Sequence, residues 1–311
     1  MRLVFFGTPD FALPSLTALI EAGYSLVAVV TQPDRQKGRG RRVLPPPVKV
    51  EAQRHGLPVL QPLKAREEDF IRDLRRLGPD LIIVVAYGQI LPPDIIHMPR
   101  MGCINLHASL LPKYRGAAPI NWAIINGERK TGVTTMLMDE GMDTGPVLLQ
   151  KEIEIDKEDT AGTLSKRLAS EGAELLITTI EGLKRGEIRP VPQSGETSYA
   201  PPLKKADGLI DWSMPATRLH NFIRGVTPWP GAYTFLDTQR LKIIKAVPVD
   251  GEGRPGFIER VSKDELLIGT GKGLLSIKEI QIEGRAVMDI RAFLQGHRLE
   301  PGMGLGTKRS E

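Results

Sequence analysis

An asparagine and a histidine two residues apart, Asn105 and His107, sit in the alternating run Cys103-Ile104-Asn105-Leu106-His107. In an extended chain successive side chains point to opposite faces, so Ile104 and Leu106 share one face and Asn105 and His107 the other. Pro112 and Gly116 then end the run in a loop, and Lys113 and Arg115 bring positive charge beside it. A second stretch, residues 136–146, places two carboxylates, Asp139 and Asp143, on a glycine-bounded turn after a hydrophobic strand. An amide donor, an imidazole and a carboxylate are enough to catalyse acyl transfer to an amine, provided the fold brings them together. Each residue also has a plainer role to set against this one. His107 fits a hydrogen-bonded core histidine, Asp143 a turn residue binding its own backbone, and Cys103, with no visible activating neighbour, a filler of core space.

The elements that must position these groups follow from the pattern of apolar residues. Residues 3–6 and 26–30 are apolar strands and 81–86 the strongest strand signal, of the kind buried on both faces of a parallel sheet. Helical spacing runs through residues 11–22, 48–55, 67–77, about 117–125 and 163–184, with further strands at 58–60, 103–107 and 133–138. The run Pro45-Pro46-Pro47 reads as non-helical. Strands alternating with helices predict an α/β fold, a doubly wound Rossmann-like sheet with ligands outside the carboxyl ends of its strands. Asn105, His107 and Asp143 all fall at or just after such ends.

Near Ile188 the character changes. Pro190, Pro192, Gly195, Pro201 and Pro202 punctuate a stretch without periodicity, read as a linker over 190–207. Beyond it, a short helix at 216–224 and strands at 233–236, 241–249, 257–261, 266–270 and 274–282 predict a small β-barrel over 208–311.

Bulk properties set the outer bounds. A chain of 311 residues has room for about two domains, and 41% hydrophobic with 25% charged residues is ordinary for a globular protein. The single cysteine excludes an intramolecular disulfide, and no apolar run reaches the ~18–20 residues that span a bilayer. A strand that starts at once leaves no room for a targeting segment, so a cytoplasmic protein without membrane contact is expected. Neither Gly-x-Gly-x-x-Gly nor Gly-x-x-x-x-Gly-Lys-Ser/Thr occurs, which disfavours dinucleotide binding in the usual mode and a P-loop nucleotidase. The five histidines are scattered without ligand spacing, and no metal is expected.

The net charge of +5 is modest, but its distribution is uneven. Between Gln32 and Lys49 stand six basic residues (Arg35, Lys37, Arg39, Arg41, Arg42 and Lys49) against one acid, Asp34, which equals the excess of the whole chain. Like charges so dense among glycines repel one another and favour order against a partner, for which a phosphate backbone is the natural counter-surface. The barrel region carries 15 Lys and Arg against 12 Asp and Glu.

With these residues in view, the chain resembles the methionyl-tRNA formyltransferase family nearly end to end. The resemblance rests on Gly7-Thr8-Pro9-Asp10-Phe11, on Gln32-Pro33-Asp34-Arg35 with Gly38-Arg39-Gly40, and on Val85-Ala86-Tyr87-Gly88. It includes the run from Asn105 through Ser109-Leu110-Leu111-Pro112 to Ile120, and Met138-Asp139-Glu140-Gly141-Met142-Asp143-Thr144-Gly145. Asn-x-His with Ser-Leu-Leu-Pro belongs to a wider group of 10-formyltetrahydrofolate-using enzymes; the Arg-rich loop and the barrel narrow it. The resemblance implies a catalytic domain over 1–189 with a basic loop at 32–47, and a tRNA-binding barrel of OB type over 208–311. It implies formyl transfer from 10-formyltetrahydrofolate, as co-substrate, to the α-amino group of methionyl-initiator tRNA. Asn105 and a protonated His107 would donate to the oxyanion, while Asp143 holds the imidazole and helps route the amine's proton to the departing folate nitrogen. By the same resemblance the folate would meet Val85, Ala86, Tyr87, Gly88, Ile90 and Leu91, then Ser109, Leu110, Leu111 and Pro112, and the Asp139 loop, with Ile90 and Leu91 as apolar walls. Arg35, Lys37, Arg39, Arg41 and Arg42, with Lys242 and Lys245 of the barrel, would contact tRNA, and the chain would act as a monomer. The catalytic residues alone leave other acceptors open: water, as in a formyltetrahydrofolate hydrolase, or a sugar-nucleotide amine. A non-catalytic RNA-binding protein on the same fold is a rival of another class, against which intact Asn105, His107 and Asp143 speak.

Neutralising Arg39, Arg41 and Arg42 together is expected to raise the apparent KM for charged tRNA. It should also flatten the dependence of log KM on log salt by roughly 0.7–0.9 for each phosphate no longer neutralised. Unchanged salt sensitivity would leave the loop as surface.

Overall fold

The computed structural model describes residues 1–37 and 42–306. Two compact units make up the chain: unit 1 is Met1–Pro119, Lys130–Glu154 and Ser165–Ala200, and unit 2 is Ile120–Arg129, Ile155–Leu164 and Pro201–Glu311.

Unit 1 opens with β1 (Arg2–Gly7), α1 (Leu13–Glu21) and β2 (Ser25–Val30). A short hairpin, β3 (Arg35–Lys37) and β4 (Arg42–Leu44), leads into α2 (Pro47–Arg54) and β5 (Val59–Leu60). Next come α3 (Glu68–Arg76), β6 (Leu81–Val85), α4 (Pro93–Ile96) and β7 (Cys103–His107). After α5 (Pro119–Ile125) the unit resumes with β8 (Lys130–Leu137), β9 (Val147–Glu154) and most of α6 (Ala161–Lys184). Leu3, Val4, Phe5 and Phe6 of β1 and all of β6 are buried, because helices cover both faces of the sheet. In α3, Phe70 and Leu74 face that core, with Glu68 and Asp69 in the first turn and Arg75 and Arg76 in the last, complementing the helix dipole. Leu106 of β7 packs against α6 where Gly172 offers no side chain: a Cβ there would lie 2.7 Å from the Leu106 Cδ2.

The strand order is β5-β2-β1-β6-β7-β8-β9. The first five strands are parallel, as the alternation predicts, but β8 runs antiparallel to both its neighbours, β7 and β9. The carboxyl end of β8 therefore lies beside the start of β7, with Leu137 opposite Ile104. Asp143 does not follow a parallel strand end; its loop must return along β7. Strand β9 was not expected, since Val-Leu-Leu-Gln-Lys-Glu-Ile-Glu gives only weak alternation at the sheet edge. The proline run is likewise corrected: Pro47 is the first residue of α2, where its missing N–H has no intrahelical partner to lose. The basic stretch is a paired hairpin (Arg35 opposite Leu44, Lys37 opposite Arg42), and Arg39 and Arg41 lie outside the described residues.

Unit 2 contains α7 (Ala216–Gly225), β10 (Tyr233–Leu236), β11 (Gln239–Val249), β12 (Ile258–Val261), β13 (Leu266–Gly269), β14 (Leu274–Ile282), β15 (Val287–Asp289), α8 (Ile290–Gly296) and β16 (Leu305–Gly306). Its antiparallel sheet runs β12-β13-β14-β11-β10-β16, with β15 also on β14. A bridge from Phe257 to Gly304, with the Ile258 N–H donating to the Met303 carbonyl at 2.9 Å, links its two ends and curls it into a barrel. Leu241, Ile243, Leu275, Ile277 and Ile280 fill the interior. Among the described residues no helix is long and apolar enough to cross a membrane.

At Gly132, mid-strand in β8, a Cβ would stand 2.2 Å from the Lys151 carbonyl oxygen and 2.5 Å from Leu110 Cδ2. Gly132→Ala is expected to destabilise unit 1 by ~1–3 kcal/mol through overpacking, read as a lower urea midpoint; an unshifted midpoint would contradict this packing.

Candidate active site

The three side chains singled out in the sequence converge. Asn105 and His107 project from one face of β7, and the loop after β8 brings Asp143 onto that face. Asn105 Nδ2 donates to Asp143 Oδ1 at 3.4 Å, and the Gly116 N–H donates to Asp143 Oδ2 at 2.8 Å. His107 Nδ1 lies 3.6 Å from the same Oδ2, long for a hydrogen bond and an ion pair only when the ring carries both hydrogens. The other ring nitrogen, Nε2, sits 2.9 Å from the Tyr114 carbonyl. A carbonyl only accepts, which assigns the hydrogen to Nε2 and directs Nδ1 at the carboxylate. His107 is 6% exposed, so the pair is held where water screens it little.

The backbone is held in an uncommon state here. Four non-glycine residues with positive φ occur among the described residues, and three belong to these loops: Ala86 (48°), Tyr114 (60°) and Asp143 (53°). Such conformations cost about 1–2 kcal/mol each and persist only where surrounding bonds impose them. The Asp143 loop is imposed from both ends. Asp139 Oδ1 accepts from the Gly141 N–H at 3.1 Å and the Thr144 hydroxyl at 2.7 Å, while a Cβ at Gly145 would lie 1.8 Å from the Leu137 carbonyl oxygen.

At the carboxyl ends of β1, β2 and β6 three further loops are knitted together. The Thr8 hydroxyl donates to the Tyr87 carbonyl at 2.8 Å, Gln32 Nε2 donates to the same oxygen at 3.3 Å, and Arg35 Nη2 donates to Gln32 Oε1 at 2.9 Å. These bonds shape the Val85–Gly88 turn, on which Ala86 and Gly88 are exposed and Val85 and Tyr87 buried.

The other expected folate and RNA residues divide between open and packed positions. Ile90 is 84% exposed, whereas Leu91 at 3% packs in the core cluster with Tyr87 and Ile95. Ser109 is fully buried, its hydroxyl donating to the Lys113 carbonyl at 2.6 Å; Leu110 packs on Gly132 and Leu111 is buried. The Pro112 carbonyl of the same loop accepts from the Ser198 N–H at 3.4 Å. Lys245 is not free to meet RNA unopposed, since its ammonium pairs with Glu158 at 2.6 Å. Lys242 stands opposite Tyr233 on the barrel sheet. Three contributors escaped the sequence reading: the Tyr114 carbonyl, the Gly116 N–H and Gln193. The first two are backbone groups with no side-chain signature, and the third lies in what reads as linker.

Cys103 shares the face of Asn105, but its Sγ donates to the Ile95 and Ile96 carbonyls, both at 3.5 Å, and burial pushes its pKa up to about 12.

Comparison with known proteins identifies the family. The family model described as Formyl transferase matches residues 1–180, and the one described as Formyl transferase, C-terminal domain, matches residues 202–298. A methionyl-tRNA formyltransferase of Thermodesulfovibrio yellowstonii is 54% identical over 301 residues, 97% of each chain. One of Citrifermentans bemidjiense is 53% identical over 309 residues, covering 99% of this chain and 97% of the relative. Among solved structures, WlaRD, a sugar 3N-formyl transferase crystallised with dTDP and 5-N-formyl-THF, superposes with a TM-score of 0.68 at 20% identity. That match covers 92% of this chain and 99% of WlaRD, and at such identity it is a likeness of fold.

With its pKa near 12, only about one Cys103 molecule in ten thousand is thiolate at pH 8, and thiolate is the reacting form. Ellman's reagent at pH 8 is expected to leave the native protein unlabelled and to titrate its one thiol in denaturant. Rapid labelling of the native protein would reopen a nucleophilic role.

Proposed function

The chain belongs to the methionyl-tRNA formyltransferase family, and from that premise we propose that it moves the formyl group of 10-formyltetrahydrofolate to the α-amino group of methionine on initiator tRNA. The observation that carries the mechanism is the meeting of Asn105, His107 and Asp143 on one face of β7.

The amine attacks the formyl carbon, and the carbonyl oxygen gains negative charge as the centre becomes tetrahedral. Asn105 uses one amide hydrogen on Asp143 and has a second to give to that oxygen. His107, when doubly protonated, presents Nδ1–H from the same face, its charge offset by the neighbouring carboxylate. Asp143 accepts the proton lost by the attacking amine and returns it toward N10 of the folate as the C–N10 bond breaks, releasing tetrahydrofolate and formylated methionyl-tRNA. The exposed backbone at Ala86 and Gly88, with Ile90 beside it, supports a pterin site read mainly by main-chain groups.

We assign residues 1–189 to catalysis, 190–207 to the connection and 208–311 to tRNA. The basic hairpin, with Arg35, Lys37 and Arg42 in its strands, is the element that supports an RNA acceptor over water or a sugar nucleotide.

Asn105→Ala, His107→Ala and Asp143→Ala are each expected to lose formylation by ~10²–10³ while remaining folded. The measurement is an acid-gel assay of formyl-methionyl-tRNA made by purified protein, run beside folate hydrolysis without tRNA. A near-wild-type rate for any variant removes that residue from the mechanism, and hydrolysis without formylation overturns the acceptor.

A further inference from the structure

Residues 191–200 look like connecting chain, yet they are bound along the catalytic loops. Val191 and Val147 exchange two backbone hydrogen bonds of 2.8 Å, and the Arg115 N–H donates to the Ser198 carbonyl at 2.9 Å. Between these anchors Gln193 uses both ends of its amide. Its Nε2 donates to the carbonyls of Asp143 and Gly145, each at 2.8 Å. Its Oε1 accepts from Arg115 Nη2 at 2.7 Å and Nε at 3.2 Å. One side chain thus ties the peptide of the candidate proton carrier to the arginine beside the Gly116 N–H that binds its carboxylate.

We infer that Gln193 is a positioning residue for formyl transfer: it keeps Asp143 in its left-handed conformation, with the carboxylate against Asn105 and His107. The inference rests on the mechanism proposed above. The polarity of the site is specific. Two carbonyls require a donor and the guanidinium requires an acceptor, which an amide satisfies and a carboxylate does not. Methionine at this position has a similar length and neither function. Glutamate keeps the bond to Arg115 but sets a negative oxygen against two carbonyls. Held by the Arg115 guanidinium, that glutamate stays ionised at neutral pH and leaves both carbonyls without their donor.

The test compares wild type, Gln193→Met and Gln193→Glu by kcat and KM for methionyl-tRNA and folate donor at one neutral pH. Rates are taken per folded molecule, counted from the amplitude of cooperative unfolding. Misplacing a reacting group by about 1 Å can lower a rate ~10²-fold, so both variants should lose about 10–100-fold in kcat with KM within about threefold. Gln193→Glu, which keeps the Arg115 contact but loses both carbonyl bonds, should lose kcat as Gln193→Met does; a Gln193→Glu kcat within twofold of wild type overturns the role of the donor. A kcat for Gln193→Met within twofold of wild type overturns the inference, as does a loss confined to KM or explained by the folded fraction. Inactive wild-type protein would instead overturn the formyl-transfer mechanism, and the inference with it.

Discussion

The carboxylate of Asp143 is the contact on which the site depends. It accepts from the Asn105 amide and the Gly116 N–H and lies against the His107 ring, so groups from β7, from the loop after it and from the loop after β8 meet on two oxygen atoms. A left-handed backbone at Asp143 costs about 1–2 kcal/mol, and a hydrogen bond to a charged group contributes about 1.5–3. The 2.8 Å bond from Gly116 alone offsets the strain. The longer Asn105 contact of 3.4 Å leaves that amide adjustable, as the proposed mechanism would ask of it.

What lets the carboxylate reach β7 is the reversal of strand direction. Had β8 continued the parallel order, its following loop would leave from the same end as the loop after β7, and the two would compete for one place. Running antiparallel, β8 ends beside Ile104, and the loop that follows must come back across the Asn105 face. The parallel half meanwhile gathers Thr8, Gln32 and Tyr87 at its own carboxyl ends. The exposed turn at Ala86 and the Asn105–His107 face therefore belong to neighbouring strands, β6 and β7, whose register sets Val84 opposite Asn105.

Much of this was legible because side-chain periodicity carries it. The apolar runs of β1 and β6 and the repeat of buried leucines in α6 mark those elements directly, and the two-residue spacing of Asn105 and His107 puts them on one face. Direction is another matter: an apolar strand has the same composition whichever way it runs, so the reversal at β8 left no mark. Pro47 illustrates a related blindness, since a proline excludes the interior of a helix but suits its first residue. Leu91 had an apolar side chain fit for either a ligand wall or a core, and the turn after β6 placed it inward. The strap at residues 191–200 was invisible because most of its bonds are made by main chain, which every residue possesses. Gln193 and Ser198, whose hydroxyl accepts from the Tyr114 N–H at 2.9 Å, are the exceptions, yet an isolated glutamine among prolines gives no hint of two carbonyls and a guanidinium waiting for it.

Charge follows the same economy of local contacts. Asp34 is the one acid between Gln32 and Lys49, and Lys49 holds both its oxygens at 2.8 Å while Gln61 donates to one of them. Those donors keep its carboxyl below the usual range, hence ionised, and it neutralises Lys49 rather than the hairpin. Arg35, Lys37, Arg39, Arg41 and Arg42 are then left with no acid in their own stretch of sequence. On the barrel, Lys245 is answered by Glu158, and an exposed pair of that kind contributes little to stability yet removes one cation from any long-range field. The hairpin leaves the carboxyl end of β2 through Gln32 and Arg35, residues bonded to the same turn that carries Ala86. In the proposed reading, a phosphate backbone drawn to the hairpin would come beside the carboxyl ends of β1, β2 and β6, so that attraction and catalysis would share one structural support.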